Sequence, residues 1–353
     1  MAQIDKPNLH FNTKLYTGNG GTNAITGVGF QPDMVWIKAR SYNDDHTITD
    51  AVRGNTKVVY PNNTNAEATS SSRITAFGTD GFTLGASGDV NSNTATYVNW
   101  SWKAGTTGSG TTTGTGTGKA YSYSVNTTAG ISIVKYLGNG NAGQQIPHHL
   151  GAVPKMILLK PLDAADNWRV YHVGIDDTSP GDYHLQLQGT GVRVDNVDVW
   201  NDTIPTSTYF TLGSNSGVVA NDQEFIAYCY AEKKGYSKFG RYFGNSNANG
   251  TFVYTGFRPA FIMIKGAVSG DGDAAQSWEI YDSKREGYNL DNDAISANNN
   301  GSEGTGDRII MLSNGFKTII NSDGVNDNNS RYIYMAFAEN PIVGSNNVAA
   351  TAR

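Results

Sequence analysis

The sequence predicts an all-β protein made of three tandem antiparallel β-sandwiches of jelly-roll type, and three observations carry that prediction. A turn–proline–strand unit occurs three times. Glycine (42 residues) and tyrosine (19) are abundant while Asn and Thr outnumber Glu and Lys, the composition of strands and turns rather than of helices. The apolar runs are short, alternate in character and are separated by Gly/Asn/Asp clusters, with no period of 3.6 residues.

The repeated unit is clearest in Gly29-Phe30-Gln31-Pro32-Asp33-Met34-Val35-Trp36-Ile37-Lys38. It returns as Gly151-Ala152-Val153-Pro154-Lys155-Met156-Ile157-Leu158-Leu159-Lys160 and as Gly256-Phe257-Arg258-Pro259-Ala260-Phe261-Ile262-Met263-Ile264-Lys265, roughly 105 to 120 residues apart. Proline cannot donate to a sheet ladder and suits a strand's beginning, while the glycine before it supplies the turn. The apolar run of about five residues that follows suits a strand buried on both faces.

In the first unit, Phe11 to Tyr16 reads as a strand ending in the turn Thr17-Gly18-Asn19-Gly20. His46 to Asp50 alternates as a half-buried strand, Pro61 to Ser72 reads as a loop, and Arg73 to Phe77 and Phe82 to Leu84 flank the turn Thr79-Asp80-Gly81. The unit closes on Thr96 to Lys103, with Val98, Trp100 and Trp102 on a dry face and Tyr97, Asn99, Ser101 and Lys103 on the other. Phe225–Ala231 and Tyr332–Ala338 align with this strand without gaps and carry small residues between the large ones, which marks all three as central strands.

The domain boundaries follow: a first sandwich over 1–104, a Gly/Thr-rich linker over 105–128, a second sandwich over 129–235, a third over 236–345 and a polar tail over 346–353. The run Gly105 to Gly118 has the composition of a flexible coil with a reach of roughly 20 Å, so the first sandwich is expected to move separately. The short junction Glu232 to Tyr236 makes the second and third one rigid body.

A net charge of −5 and a pI near 5.7 give no electrostatic reason to expect nucleic acid or an anionic membrane as partner. The one cysteine, Cys229, leaves no intrachain disulfide framework and reads as a buried small hydrophobe. Nothing apolar approaches the length of a membrane span, and Met1 to Pro7 lacks the regions of a signal peptide, so no membrane insertion and synthesis in a cytoplasm are expected.

Chemistry is sparse. A sandwich glycosidase needs two carboxylates on one strand face, whereas Glu279 and Asp282 in Glu279-Ile280-Tyr281-Asp282 fall on opposite faces. No Gly-x-Ser-x-Gly elbow occurs, and His148-His149 lies in a turn before a strand, so no catalytic residue and no metal ligand are assigned. Asp271-Gly272-Asp273, Asp291-Asn292-Asp293 and Asn321 to Asp327 are rich in the oxygens Ca²⁺ prefers, but lack the closing Glu of the twelve-residue loop, and turn formation explains them; no cofactor is assigned. Trp36, Trp100 and Trp102 read as core, and Trp168 and Trp278, at one point of their units, as packing. Tyr42, Tyr60, Tyr183, Trp200 and Tyr288 sit in polar, loop-like surroundings beside Asn and Asp, the residues with which a sugar-binding surface stacks on and bonds to a pyranose. They are the candidate glycan- or partner-binding residues.

Leu15-Tyr16-Thr17-Gly18-Asn19-Gly20, the proline units, Gly235-Tyr236-Ser237-Lys238-Phe239-Gly240, Met335-Ala336-Phe337-Ala338-Glu339-Asn340-Pro341 and Ala350-Thr351-Ala352-Arg353 resemble a repeat family of structural proteins in marine tailed phages. The resemblance covers nearly the whole chain outside the Gly/Thr run. It implies a virion component with lectin-like (concanavalin A-like) sandwich repeats, described as tail fibre or lectin-like, with no active site to carry over. The expected role is a short tail fibre or spike binding host-surface glycan or receptor. The competing role is a capsid decoration or tail collar whose loops grip other virion proteins, and a glycan-degrading enzyme stands third. No heptad stalk is visible, and the symmetry of virion assemblies suggests a homo-trimer.

Overall fold

In this computed structural model, which describes residues 3–270, 276–285 and 293–344, nearly every regular element is an antiparallel strand. The strands form, in chain order, three large sheets and three smaller, three-stranded ones, together with two short ribbons. The first large sheet has the order Phe11–Thr17, Thr96–Trp102, Met34–Ala39, Thr47–Asp50. The second runs Thr106–Thr111, Ala120–Asn126, Ile131–Leu137, Glu224–Tyr230, Met156–Pro161, Arg169–His172, and the third Ser237–Phe243, Arg331–Pro341, Phe257–Val268, Trp278–Asp282, Ile295–Ser296. In each, the closing strand lies between the opening strand and the proline strand, as its alternation of large and small residues predicts.

Registers are shared as well. Met34 faces Trp102, Met156 faces Tyr230 and Phe261 faces Phe337. From the proline strands Met34, Trp36, Met156, Leu158, Phe261 and Met263 join one central core that draws on all three large sheets. The intervening Val35 and Ile37, Ile157 and Leu159, and Ile262 and Ile264 point the other way, into three separate cores beneath the three-stranded sheets. Each proline strand is therefore buried on both faces, which is why the run before its lysine is apolar.

At the heart of the central core Trp102, Tyr230 and Phe337, the register-equivalent residues of the closing strands, touch one another in a triangle. Ring centroids lie 6.4 Å apart for Trp102–Tyr230, 5.7 Å for Trp102–Phe337 and 6.0 Å for Tyr230–Phe337, within the range of favourable edge-to-face contact. Polar contacts pass in the same cyclic sense. Trp168 Nε1 donates to Tyr60 O at 2.8 Å, Trp278 Nε1 to Gln186 O at 2.9 Å, and His46, at the equivalent point, sets Nε2 3.1 Å from Ser296 O. Each bond reaches into a neighbouring sheet pair.

The lysines that close the apolar runs of the proline strands, Lys38, Lys160 and Lys265, are wholly buried. Their ammonium groups donate to main-chain carbonyls: Lys38 to Ala39, Lys160 to Thr64, Pro161 and Asp166, and Lys265 to Thr190 and Gln276. Burial lowers Lys38 and Lys160 to about 8 and Lys265 to about 7, since a cation loses its hydration there.

Four expectations are corrected. The Gly/Thr run is not a coil: Thr106–Thr111 is an edge strand on Ala120–Asn126, and Thr113–Gly114 pairs with Gln144–Pro147. Its glycines make this possible, because a Cβ at Gly108 or Gly110 would come within 2.6 Å of Tyr123 or 2.7 Å of Tyr121, whose rings occupy that space. The first sheet pair, sharing the central core with the others, is not an independently moving body. Nor is its closing strand dry on one side only, since Tyr97, Asn99 and Ser101 are as buried as Trp100, and Thr47–Asp50 is buried throughout rather than by halves.

Candidate binding cleft

Of the aromatic residues that sequence reading put forward for binding, the described ones have their polar or ring surfaces engaged within the protein. The Tyr42 hydroxyl donates to Gly88 O at 2.6 Å and lies 2.7 Å from the Tyr97 hydroxyl; burial and this neighbour push its ionisation far up. Tyr60 is buried, takes a hydrogen bond from Arg73 Nη2 and has that guanidinium over its ring. The Tyr183 ring is covered by the Arg193 guanidinium at 4.0 Å. Trp200 is 1% exposed and packs edge-on against Tyr171 and Phe210. Its helix, Val197–Trp200, is capped by the Asn196 side chain, which turns the indole inward although the flanking residues are polar. Trp200 cannot stack on an external sugar, and Tyr60 offers little surface to one. Tyr288 lies outside the described residues.

The carboxylates of Glu279 and Asp282 do lie on different faces, and each is held by the fold. Glu279 pairs with Arg308 at 3.0 Å, whereas Asp282 accepts from Trp100 Nε1 and Arg285 Nε in the central core. The acidic loop ending at Asp327 spends its groups internally. Asp327 accepts from Ser330 Oγ and from Asn328 N, and the Asn326 amide donates to Asn247 O and Ile320 O. Among the described residues no three His, Cys, Asp or Glu side chains gather to hold a metal. The remaining acidic strings, Asp271-Gly272-Asp273 and part of Asp291-Asn292-Asp293, fall outside the described residues.

An open cleft forms instead where the second sheet pair meets the third. It measures about 600 Å³ and is lined by Lys155, Glu232, Lys234, Lys238, Tyr254 and Thr255, with Gln3 at its rim. Gln3, Lys234, Tyr254 and Gly256 also line a second hollow of about 550 Å³ that reaches Ile342 and Val343. Local backbone chemistry builds the walls. Lys155 precedes the proline strand, its N–H bonded to Tyr230 O at 2.6 Å. Gly235 turns at φ +74°, where a side chain would strike Gln3 and the Ile4 carbonyl. Tyr254 ends an edge strand and is 61% exposed, the most open of the large hydrophobic side chains among the described residues.

Charge here is unbalanced. Glu232 is paired with Lys238 at 2.9 Å and also accepts from Phe239 N. Among the described residues neither Lys155 nor Lys234 has a carboxylate within ion-pair distance. A smaller hollow of about 280 Å³, between the third and first sheet pairs, occupies the register-equivalent place and is lined by Asn12, Ala260, Lys284 and Glu339. The aligned proline units already differ at the key point, Asp33, Lys155 and Ala260, which is the signal that could have located the cleft. Tyr254 carries no comparable signal in the sequence, since its place beside the lysines depends on how the sheet pairs pack.

A family model described as "Domain of unknown function (DUF7483)" matches residues 6–341. No curated protein and no solved structure matches the chain.

Proposed function

The chain belongs to the DUF7483 domain family, and from that footing we propose that the protein is a structural component of a tailed-phage virion, made in the host cytoplasm, that binds host-surface glycan as a short tail fibre or spike. The resemblance of the repeated phrases supports the virion assignment. The single observation that carries the binding role is the cleft itself, where an exposed Tyr254 stands beside two lysines that have no carboxylate partner among the described residues, on a body whose tryptophans are all buried. An aromatic ring flanked by hydrogen-bond donors, on a rigid scaffold, is the arrangement that captures a saccharide. Adhesion of the purified, labelled protein to host cells tests the proposal; absence of adhesion at micromolar protein would overturn it.

One observation favours the architectural reading. Val194, Val197 and Ile204 are each 46–49% exposed within residues 194–204, and an apolar surface segment of this kind suits contact with another virion protein. Imaging the labelled particle separates the two roles, since adsorption places the protein at the tail tip and decoration spreads it over the shell.

A further inference from the structure

We propose that the cleft between the second and third sheet pairs is a site for an acidic polysaccharide, with Lys155, Lys234 and Lys238 facing its anionic groups and Tyr254 stacking on a sugar ring; this deepens, and rests on, the glycan-binding reading above. The fold itself does not require these cations. Lys155 precedes Met156 in the register that puts Asp33 before Met34 and Ala260 before Phe261. Lys238 stands on its strand where Asn12 and Ser132 stand on theirs. Two sheets of the same geometry therefore form without a cation at either position. The lysines are concentrated at one of two register-equivalent hollows, and the other presents Ala260 and Asn12 in their place.

The protein's overall charge makes the concentration informative. At −5 overall, the surface repels polyanions in general, so a local excess of lysine acts at short range on a ligand that also fits. Glu232 neutralises only Lys238. Tyr254 adds a flat, open face at the cleft wall, and Gln3 adds a neutral polar side chain at the rim. Stacking plus charge selects a sugar chain bearing carboxylate or sulfate over a neutral one. The cleft continues into the second hollow past the shared Gln3, Tyr254 and Gly256, which gives room for more than one sugar unit.

The full chain would be titrated by calorimetry with an oligogalacturonate, a sulfated dextran oligomer, a neutral dextran oligomer and a single-stranded DNA oligonucleotide of matched charge. Binding of at least one acidic saccharide, weakened by salt and absent for the neutral oligomer, is expected. The double variant Lys155→Ala with Lys238→Asn, which restores the residues of the equivalent hollow, should lose about tenfold or more in affinity, and Tyr254→Ala about tenfold, with melting temperatures unchanged. No binding of either acidic saccharide, or variants that bind as the parent does, would overturn the inference, as would DNA binding of equal strength that Tyr254→Ala leaves intact. Host-cell adhesion by the parent that survives all three substitutions removes this cleft but keeps the adhesion role. Saccharide binding without adhesion keeps the cleft and removes that role.

Discussion

The indole Nε1–H of Trp100 donates to Asp282 Oδ2 at 3.0 Å, joining the first sheet pair to the third across 182 residues of sequence. Asp282 also pairs with Arg285 Nε at 2.6 Å, and Arg285 is itself fully buried. At the register-equivalent point, Asp50 pairs with Arg53 and accepts from Tyr228 of the second sheet pair at 2.8 Å. Replacing Asp282 by Ala leaves the buried Arg285 guanidinium with Glu303 as its remaining carboxylate partner among the described residues and takes the acceptor from the Trp100 indole N–H, a loss of about 3 kcal/mol. Denaturant titration should show this in the midpoint, and a smaller loss for Asp282→Asn, which keeps an acceptor for Trp100.

Unfolding should be a single event. The triangle of Trp102, Tyr230 and Phe337 ties all three sheet pairs to one core, so calorimetry is expected to give one transition with matching calorimetric and van't Hoff enthalpies. Trp102→Ala, leaving a cavity shared by all three, should cost about 3–5 kcal/mol without splitting that transition. Early melting of a fragment near residues 1–104 would contradict the shared core.

Cys229 should be inert in the native state. Burial among Ile157, Ala227 and their neighbours raises its thiol well above the ordinary range, and the thiolate is the reactive form. A thiol reagent at pH 8 is expected to modify it only as fast as the protein unfolds. Rapid reaction with the folded protein would show that the core opens locally.

Acid should destabilise the protein through its histidines. His172 accepts from Gly174 N at Nδ1 and sets Nε2 3.0 Å from Tyr334 O; His148 does the same with Leu150 N and Thr206 O, and His46 with Trp36 Nε1 and Ser296 O. A second ring proton has no acceptor at Nδ1. Burial holds His148 and His172 at about 4 and His46 well below its usual value. The unfolded chain therefore binds protons that the folded one refuses, and stability is full above about 6.5 and falls as pH drops from there toward 4. Asp33, raised by burial to about 6, acts oppositely over most of that window, from about 6 downward. Melting temperatures at pH 7 and pH 5 should differ in the histidine direction, and His172→Gln should reduce the difference.

The buried lysines set the alkaline side. Lys38, Lys160 and Lys265 bind protons more weakly when folded, at about 8, 8 and 7, than when unfolded near 10.4. Stability should rise as pH climbs from about 8 toward 10, before tyrosine ionisation in the unfolded chain reverses it. A flat profile between pH 8 and 9.5 would argue against these lysines being buried.

Period-two alternation and the residues flanking each proline determined where the strands lie, which side chains share a face and that the closing strands are central, because those properties belong to a dozen residues at a time. Tertiary structure alone decided what covers each face. Gly108 and Gly110 became strand because Tyr121 and Tyr123, on a neighbouring strand, fill the space their missing side chains leave. Trp200 went inward because one capped helical turn aims it there. Lys155 and Tyr254, nearly a hundred residues apart in sequence, came to share a cleft only because three large sheets close around one aromatic triangle, a packing that no local pattern contains.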